Sequence, residues 1–298
     1  MTGYKENQTP LLRIVENSHG DARAIRNQDI TRVISFTSGK GGVGKTNCLV
    51  NTAIALAREG KSVLVLDADL GLANVDVLLG ISPQYTINDV LNGTKTLQEI
   101  MLDGPEGISV IPAASGIESI CNLSTSQRMF LLDAIEEVAY KYDYLLIDTQ
   151  AGIGADVMFF NNASSEIVCV INEEPTSLTD AYALIKVLSR DYGEKNISVL
   201  ANNVPNEESG LRAFKRLQSA VERFLHINLK YIGFVPRDKA VLSALSDQRA
   251  VLELYPSSPA GIAFSRVARQ LDSDFINLRV KGGIQFFFRS LLEMEAHG

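Results

Sequence analysis

An α/β domain with a doubly wound, mostly parallel sheet is the fold this sequence predicts, on three observations. Short apolar runs rich in β-branched residues recur along the chain. Stretches of helical periodicity lie between them. The alternation continues from Arg32 to about residue 275 with no proline-rich or polar break.

In order, strands are expected at Val33–Phe36, Ser62–Leu66, Ile108–Ile111, Tyr144–Ile147, Ile167–Ile171, Ile197–Leu200 and Leu229–Val235. Runs that short and that continuously apolar suit strands covered on both faces, as in a parallel sheet. Helices are expected at Thr46–Arg58, Ser126–Lys141, Ser177–Arg190 and Leu211–Phe224. Residues 31–278 are expected to form the domain, preceded by a flexible leader at 1–30 in which acidic and basic residues balance. Residues 279–298 follow as an amphipathic helix. There Ile284, Phe287, Phe288, Leu291 and Leu292 share one side, and Gln285, Arg289 and Glu293 the other. That helix has three readings: packing on its own domain, lying in a membrane interface, or presenting a partner-binding face.

Composition narrows the function. The chain has 298 residues and a formal net charge of −7, so it does not hold nucleic acid by charge alone. Cys48, Cys121 and Cys169 are far apart and form no CxxC, which excludes a disulfide scaffold and a locally spaced zinc or cluster site. No apolar run reaches membrane-span length and no signal-peptide pattern opens the chain. A cytoplasmic, reduced, soluble protein is expected.

The strongest local signal is Gly39-Lys40-Gly41-Gly42-Val43-Gly44-Lys45-Thr46, which matches G-x-x-x-x-G-K-[ST] between an expected strand and an expected helix. Its glycines let backbone N–H groups turn inward around phosphate oxygens, and the helix N-terminus adds partial positive charge. Lys45 is placed to reach the β- and γ-phosphates and Thr46 to bind Mg²⁺. Asp148, after Tyr144–Ile147, has the layout of a strand-end carboxylate for the metal. Asp67 and Asp69 end another strand, and strand ends in this architecture converge on the ligand crevice.

Lys40, directly after the first glycine, makes the loop resemble the deviant Walker A loop of the MinD/ParA class of P-loop ATPases. Asp67–Asp76 resembles that class's switch I, and Asp148-Thr-Gln-Ala-Gly-Ile153 its Walker B and switch II segment. Further blocks, Thr86–Gly93, Ile111–Ile117 and Glu174–Tyr182, resemble the flagellar-number regulators of the class, the FlhG, FleN or YlxH family. The resemblance implies a Mg-dependent, slow ATPase of the MinD type that dimerises with ATP. Lys40 would cross the dimer interface to the partner's phosphates, and Asp69 would position the attacking water. It implies nucleotide contacts from Gly39 to Asn47 (Lys40, Gly41, Gly42, Val43, Gly44, Lys45 and Thr46 among them) and from Glu174, with Thr46, Asp67 and Asp148 around the metal. Asn202 resembles an adenine-contacting asparagine, and Pro236, Arg237 and Asp238 the loop over the base. As a turn after a strand, the Asn202 segment has an equally good plain reading.

The family's partners are the flagellar GTPase FlhF, C-ring components, in some bacteria a flagellar transcription activator, and anionic lipid through a C-terminal helix, at the inner face of the cell membrane. Asp21–Arg26 partially resembles the family's GTPase-activating motif. Direct nucleic-acid binding is not expected, and a ParA-type DNA- or cargo-positioning ATPase is the alternative. Two residues depart from the family pattern. Glu173 stands at a usual proline. Gln150 stands at an expected glycine, where a side chain either obstructs the γ-phosphate, or brings an amide to the attacking water, or marks a lineage-specific or engineered change.

Overall fold

The computed structural model describes residues 31–69, 74–113 and 122–274. The leader with Asp21–Arg26, the segment 279–298 expected to be an amphipathic helix, Cys121 and parts of two resembling blocks (70–73 and 114–117) lie outside the described residues.

The chain runs β1 (Arg32–Ser38), α1 (Lys45–Arg58), β2 (Val63–Ala68), α2 (Val75–Leu79), α3 (Ile87–Leu91), α4 (Leu97–Ile100), β3 (Leu102–Asp103), β4 (Ser109–Ile111) and α5 (Thr125–Ala139). It continues with β5 (Tyr144–Ala151), α6 (Ala155–Ala163), β6 (Glu166–Ile171), α7 (Pro175–Asp191), β7 (Ile197–Val204) and α8 (Glu207–Leu225). The last elements are β8 (Leu229–Pro236), α9 (Lys239–Ser246), α10 (Val251–Leu254) and α11 (Pro259–Asp274). The strands form one eight-stranded sheet in the order β3-β4-β2-β5-β1-β6-β7-β8. Every pairing is parallel except the short edge strand β3 against β4. The doubly wound, mostly parallel expectation holds.

Alternation along each strand explains why the apolar runs are continuous. Ile34, Val63, Val65, Leu146, Val168 and Val170 point to one face, where they pack with α1, α2, α9, α10 and α11. Val33, Leu64, Leu66, Leu145 and Ile147 point to the other and meet α3, α4, α5 and α6. Ile167, Cys169, Ile171 and Val199 on that second face meet α6, α7 and α8. With both faces covered, neither set of residues can be polar without stranding a group away from water.

Helix starts differ from the expected ones because caps decide them. Ser124 accepts a bond from the Gln127 N–H at 3.3 Å and starts α5 at Thr125. Asn206 accepts from the Ser209 N–H at 2.9 Å and starts α8 at Glu207, four residues before the apolar pattern does. Pro175 opens α7, where its missing N–H costs no helical bond.

At the amino end of the sheet a buried polar knot fixes α11. Arg32 donates to Glu166 Oε1 at 2.9 and 2.5 Å, to the Tyr144 hydroxyl at 2.9 Å and to the Leu271 carbonyl at 2.9 Å. Tyr144 in turn donates to Asp272 at 2.5 Å. At the opposite, carboxyl end, β1 has gone one way to β2 and β5 goes the other way to β6. The crevice that opens there is where ligands bind in such sheets.

Candidate functional site

The turn from β1 into α1 is shaped by its glycines. Gly44 sits at φ 84 and precedes α1 without offering a side-chain cap, so the first N–H groups of the helix remain available to an anion. A Cβ there would also run into the Asn202 amide, and a Cβ on Gly39 would strike the Asp180–Ala181 backbone of α7. Asn202 donates to the Val43 carbonyl at 2.7 Å, tying the loop to the end of β7. Ser38 does the same from β1, donating to the Lys40 carbonyl at 3.0 Å. Asn47 anchors the first turn of α1, taking bonds from Asn51 on both its carbonyl and its Oδ1.

Lys45 and Thr46 converge on Asp148 at the end of β5. Lys45 Nζ lies 2.5 Å from Oδ1, and the Thr46 hydroxyl donates to Oδ2 at 2.6 Å. The lysine side chain is 8% exposed and the carboxylate 0%, so both charges are out of water and depend on each other. Complete burial pushes the Asp148 carboxyl above its ordinary range, against the pull of the Lys45 ammonium and the Thr46 hydroxyl.

Asp67 is the register partner of Asp148 on the neighbouring strand β2. Burial first, and the Asp148 charge second, push its carboxyl up to about 7. Its oxygens accept from the N–H groups of Asp69 at 3.1 Å, Asn74 at 3.0 Å and Val75 at 3.1 Å. Of the expected metal set, Thr46 and Asp148 therefore meet directly. Asp67 is taken up instead by the backbone of the segment that carries Asp69. Asp69 itself accepts from Asn74 Nδ2 at 3.1 Å and faces the cleft.

That cleft has a volume of about 890 Å³, and its wall is made by loop residues Gly41 to Asn47 with Ser38, Asp69, Asn74 and Gln150. The chemistry of its donors fits a Mg-nucleotide. A threonine hydroxyl and one buried carboxylate meet at the foot of a loop of backbone N–H groups, with a lysine beside them. Mg²⁺ is commonly held by one or two protein oxygens together with phosphate oxygens and water. Among the described residues no three His, Cys, Asp or Glu side chains form a cation cage.

Other expected residues lie apart from this wall. Lys40 bends back onto its own chain, where Nζ meets Glu174 Oε2 at 2.7 Å and Thr176 Oγ1 at 3.0 Å. Glu174 thereby binds the loop's lysine, which holds its carboxyl below the usual range. Asp238 caps α9 through the Ala240 N–H at 2.9 Å and takes the Ala260 N–H at 3.0 Å. Pro236 ends β8, and Arg237 reaches Glu173 at 3.4 Å. Asn202, Pro236, Arg237 and Asp238 do not line the cleft beside the loop.

Sequence reasoning missed Asn74, Val77, Leu245 and Gln248, which do line it. Asn74 stood inside the Asp67–Asp76 stretch and could have been noticed as an amide near two aspartates. Leu245 arrives from α9 and Gln248 from the turn that follows it, far along the chain, with no local signal.

A family model described as an AAA domain matches residues 31–199. The chain is 46% identical over 267 residues to the antiactivator FleN of Pseudomonas aeruginosa, which covers 90% of this chain and 95% of that protein. It is 32% identical over 292 residues to the flagellum site-determining protein YlxH of Helicobacter pylori, covering 96% of this chain and 98% of that protein. In fold it is similar to the MinC:MinD cell division protein complex of Aquifex aeolicus, with a TM-score of 0.66 at 29% identity over 85% of this chain and 100% of that one.

Proposed function

The chain belongs to the MinD/ParA-type P-loop ATPases, in the branch that contains FleN and YlxH, and on that footing we propose that it is an ATP-operated dimerising switch regulating flagellar number. The observation that carries this reading is the meeting of Lys45, Thr46 and buried Asp148 at the foot of a glycine loop, with Asp69 on the same cleft wall.

Backbone N–H groups from Gly41 to Thr46, with Lys45, bind the phosphates of ATP. Thr46 and Asp148 would hold Mg²⁺, which would supply charge stabilisation to the phosphates. Asp69, kept in place by Asn74, orients the attacking water. Lys40 is the residue that leaves its Glu174 and Thr176 contacts to meet the second copy's phosphates, a cation supplied in trans to developing charge. Residues 279–298 supply a membrane-targeting helix for anionic lipid. Two such helices in one dimer bind far better than one by effective concentration. The protein then acts from the cytoplasm and the inner face of the membrane, with the flagellar GTPase FlhF as partner and C-ring proteins or a flagellar transcription activator as further ones. No helix among the described residues is long and apolar enough to cross a membrane.

Light scattering after size exclusion, with ADP and then with ATP plus Mg²⁺, tests this. A monomer with ADP and a dimer with ATP is the expected result. Asp69→Ala should bind ATP and persist as the dimer with turnover lost, whereas Lys40→Ala should bind ATP and stay monomeric. A monomer in both states despite measured ATP binding would overturn the switch. Undiminished turnover in Asp69→Ala would remove the role given to that residue.

A further inference from the structure

Gln150 is a polar residue on the cleft wall with no role in the proposed switch; Ser38, Asn47 and Gln248 on the same wall are each engaged in a side-chain hydrogen bond. Three observations concern it. It lines the cleft together with Ser38, Lys45, Asp69 and Asn74. Its carboxamide makes no hydrogen bond among the described residues, although it lies between well-bonded neighbours. It also sits in a β-bulge: Phe36 pairs with Asp148 and Ser38 with Ala151, so Thr149 and Gln150 together face Thr37 alone. Bulges beside active sites re-aim side chains, and this one turns Gln150 and Ala151 both onto the cleft wall. Thr149 pins it, donating from its hydroxyl to the Phe36 carbonyl at 3.0 Å. The bulge is closed by the Gly152 N–H donating to the Ser38 carbonyl at 2.8 Å. Positive φ falls on Gly152, at 101°, and not on Gln150, so a side chain at 150 is carried without backbone strain.

We propose that Gln150 is a positioning residue for hydrolysis, holding the attacking water between its carboxamide and Asp69. The inference rests on the ATPase reading of the same cleft. A carboxamide suits the task because its oxygen accepts from water while its NH₂ donates to a phosphoryl oxygen, and it neither gains nor loses a proton. The water oxygen forms a bond to the γ-phosphorus as the bond from that phosphorus to the β–γ bridging oxygen breaks. The bridging oxygen leaves with its electron pair on ADP. The two protons of the water go with the released phosphate, and one is then lost to solvent. Gln150 contributes orientation, which matters most where the reacting atoms must be in line.

The test compares the full-length chain with Gln150→Ala and Gln150→Gly, the second restoring the residue usual in the family. Single-turnover hydrolysis is measured beside equilibrium affinity for ATP, for ADP, and for ADP with aluminium fluoride, a mimic of the phosphoryl group in transfer. Both variants should bind ATP and ADP within about threefold of wild type. Each should lose between about 10- and 100-fold in hydrolysis rate, and a similar factor in affinity for the aluminium fluoride complex. Equal or faster hydrolysis in either variant would overturn the proposal and identify Gln150 as an obstruction or a bystander. A parallel loss of ATP and ADP affinity would also overturn it, by making Gln150 a ground-state binding residue. Wild-type protein that binds ATP without hydrolysing it would defeat the ATPase reading itself, an outcome visible before any variant is compared.

Discussion

Asp148→Ala should destabilise the nucleotide-free protein by more than a lost side chain of that size, because it strands Lys45. The ammonium lies 2.5 Å from the carboxylate, with the two side chains 8% and 0% exposed. Removing one partner of a buried pair costs about 3–5 kcal/mol. The Thr46 hydroxyl also loses its acceptor at 2.6 Å, worth about 1 kcal/mol. The expected sum is therefore about 4–6 kcal/mol. Lys45→Met should cost less, since a buried carboxyl already pushed upward can take a proton and become neutral. With both changed, no charge is stranded, so the double variant should be more stable than Asp148→Ala alone. Urea unfolding without nucleotide gives the cycle, read at constant m. A coupling of at least about 2 kcal/mol is expected, whereas additivity within about 0.5 kcal/mol would refute the buried-pair argument. Repeating the series with Mg-ATP separates the two roles of the pair. Wild type should gain about 2.7 kcal/mol at a hundredfold excess over Kd, and the variants should gain nothing.

Three further outcomes are expected. Arg32→Ala should cost about 3–5 kcal/mol in urea unfolding, since Glu166, Tyr144 and the Leu271 carbonyl all lose a buried donor, and Arg32→Lys should recover only part of that. ATP affinity of the folded Arg32 variants should be unchanged, because the knot lies at the opposite end of β1 from the loop; a fall in affinity would contradict that separation. Gly44→Ala should weaken nucleotide binding in calorimetry by at least about 5- to 30-fold, because its φ of 84 costs an alanine about 1–2 kcal/mol and its Cβ displaces the Asn202 amide; undiminished affinity would show that the loop can rearrange. Deleting 279–298 should release the ATP-bound protein from vesicles rich in anionic lipid in a flotation assay, and retained binding would refute the membrane role of that helix.

Much of the fold was legible because parallel strands report their environment locally. In β2 the neighbours Leu64 and Val65 face opposite layers, so the run must be apolar throughout, and a short window suffices to see it. The ends of strands were harder. β5 extends to Ala151 and β7 to Val204, beyond their apolar runs, through polar residues with local tasks: Gln150 stands on the cleft wall and Asn202 bonds to the loop. Short helices such as α2, α3 and α4 carry too few turns for a periodicity. They stand on caps and tertiary packing, as Thr86 and Thr96 do at the starts of α3 and α4.

The site divides in the same way, by how far apart its parts lie in the chain. The phosphate loop was readable because its backbone donors, its lysine and its hydroxyl fall within eight consecutive residues. Asp148 was readable as a strand end, but its closeness to Asp67 needs the register that sets β2 beside β5. That register also changes what Asp67 does. Two carboxylates facing each other across one ladder rung cannot both be held freely charged in a buried place, and Asp67 answers by taking three backbone N–H donors from the segment around Asp69. Asp67, expected near the metal, also anchors the segment of the residue expected to orient water. A sequence motif states which side chains arrive at the cleft, whereas competition among them for donors and for space decides which touches the ligand and which holds a neighbour in place.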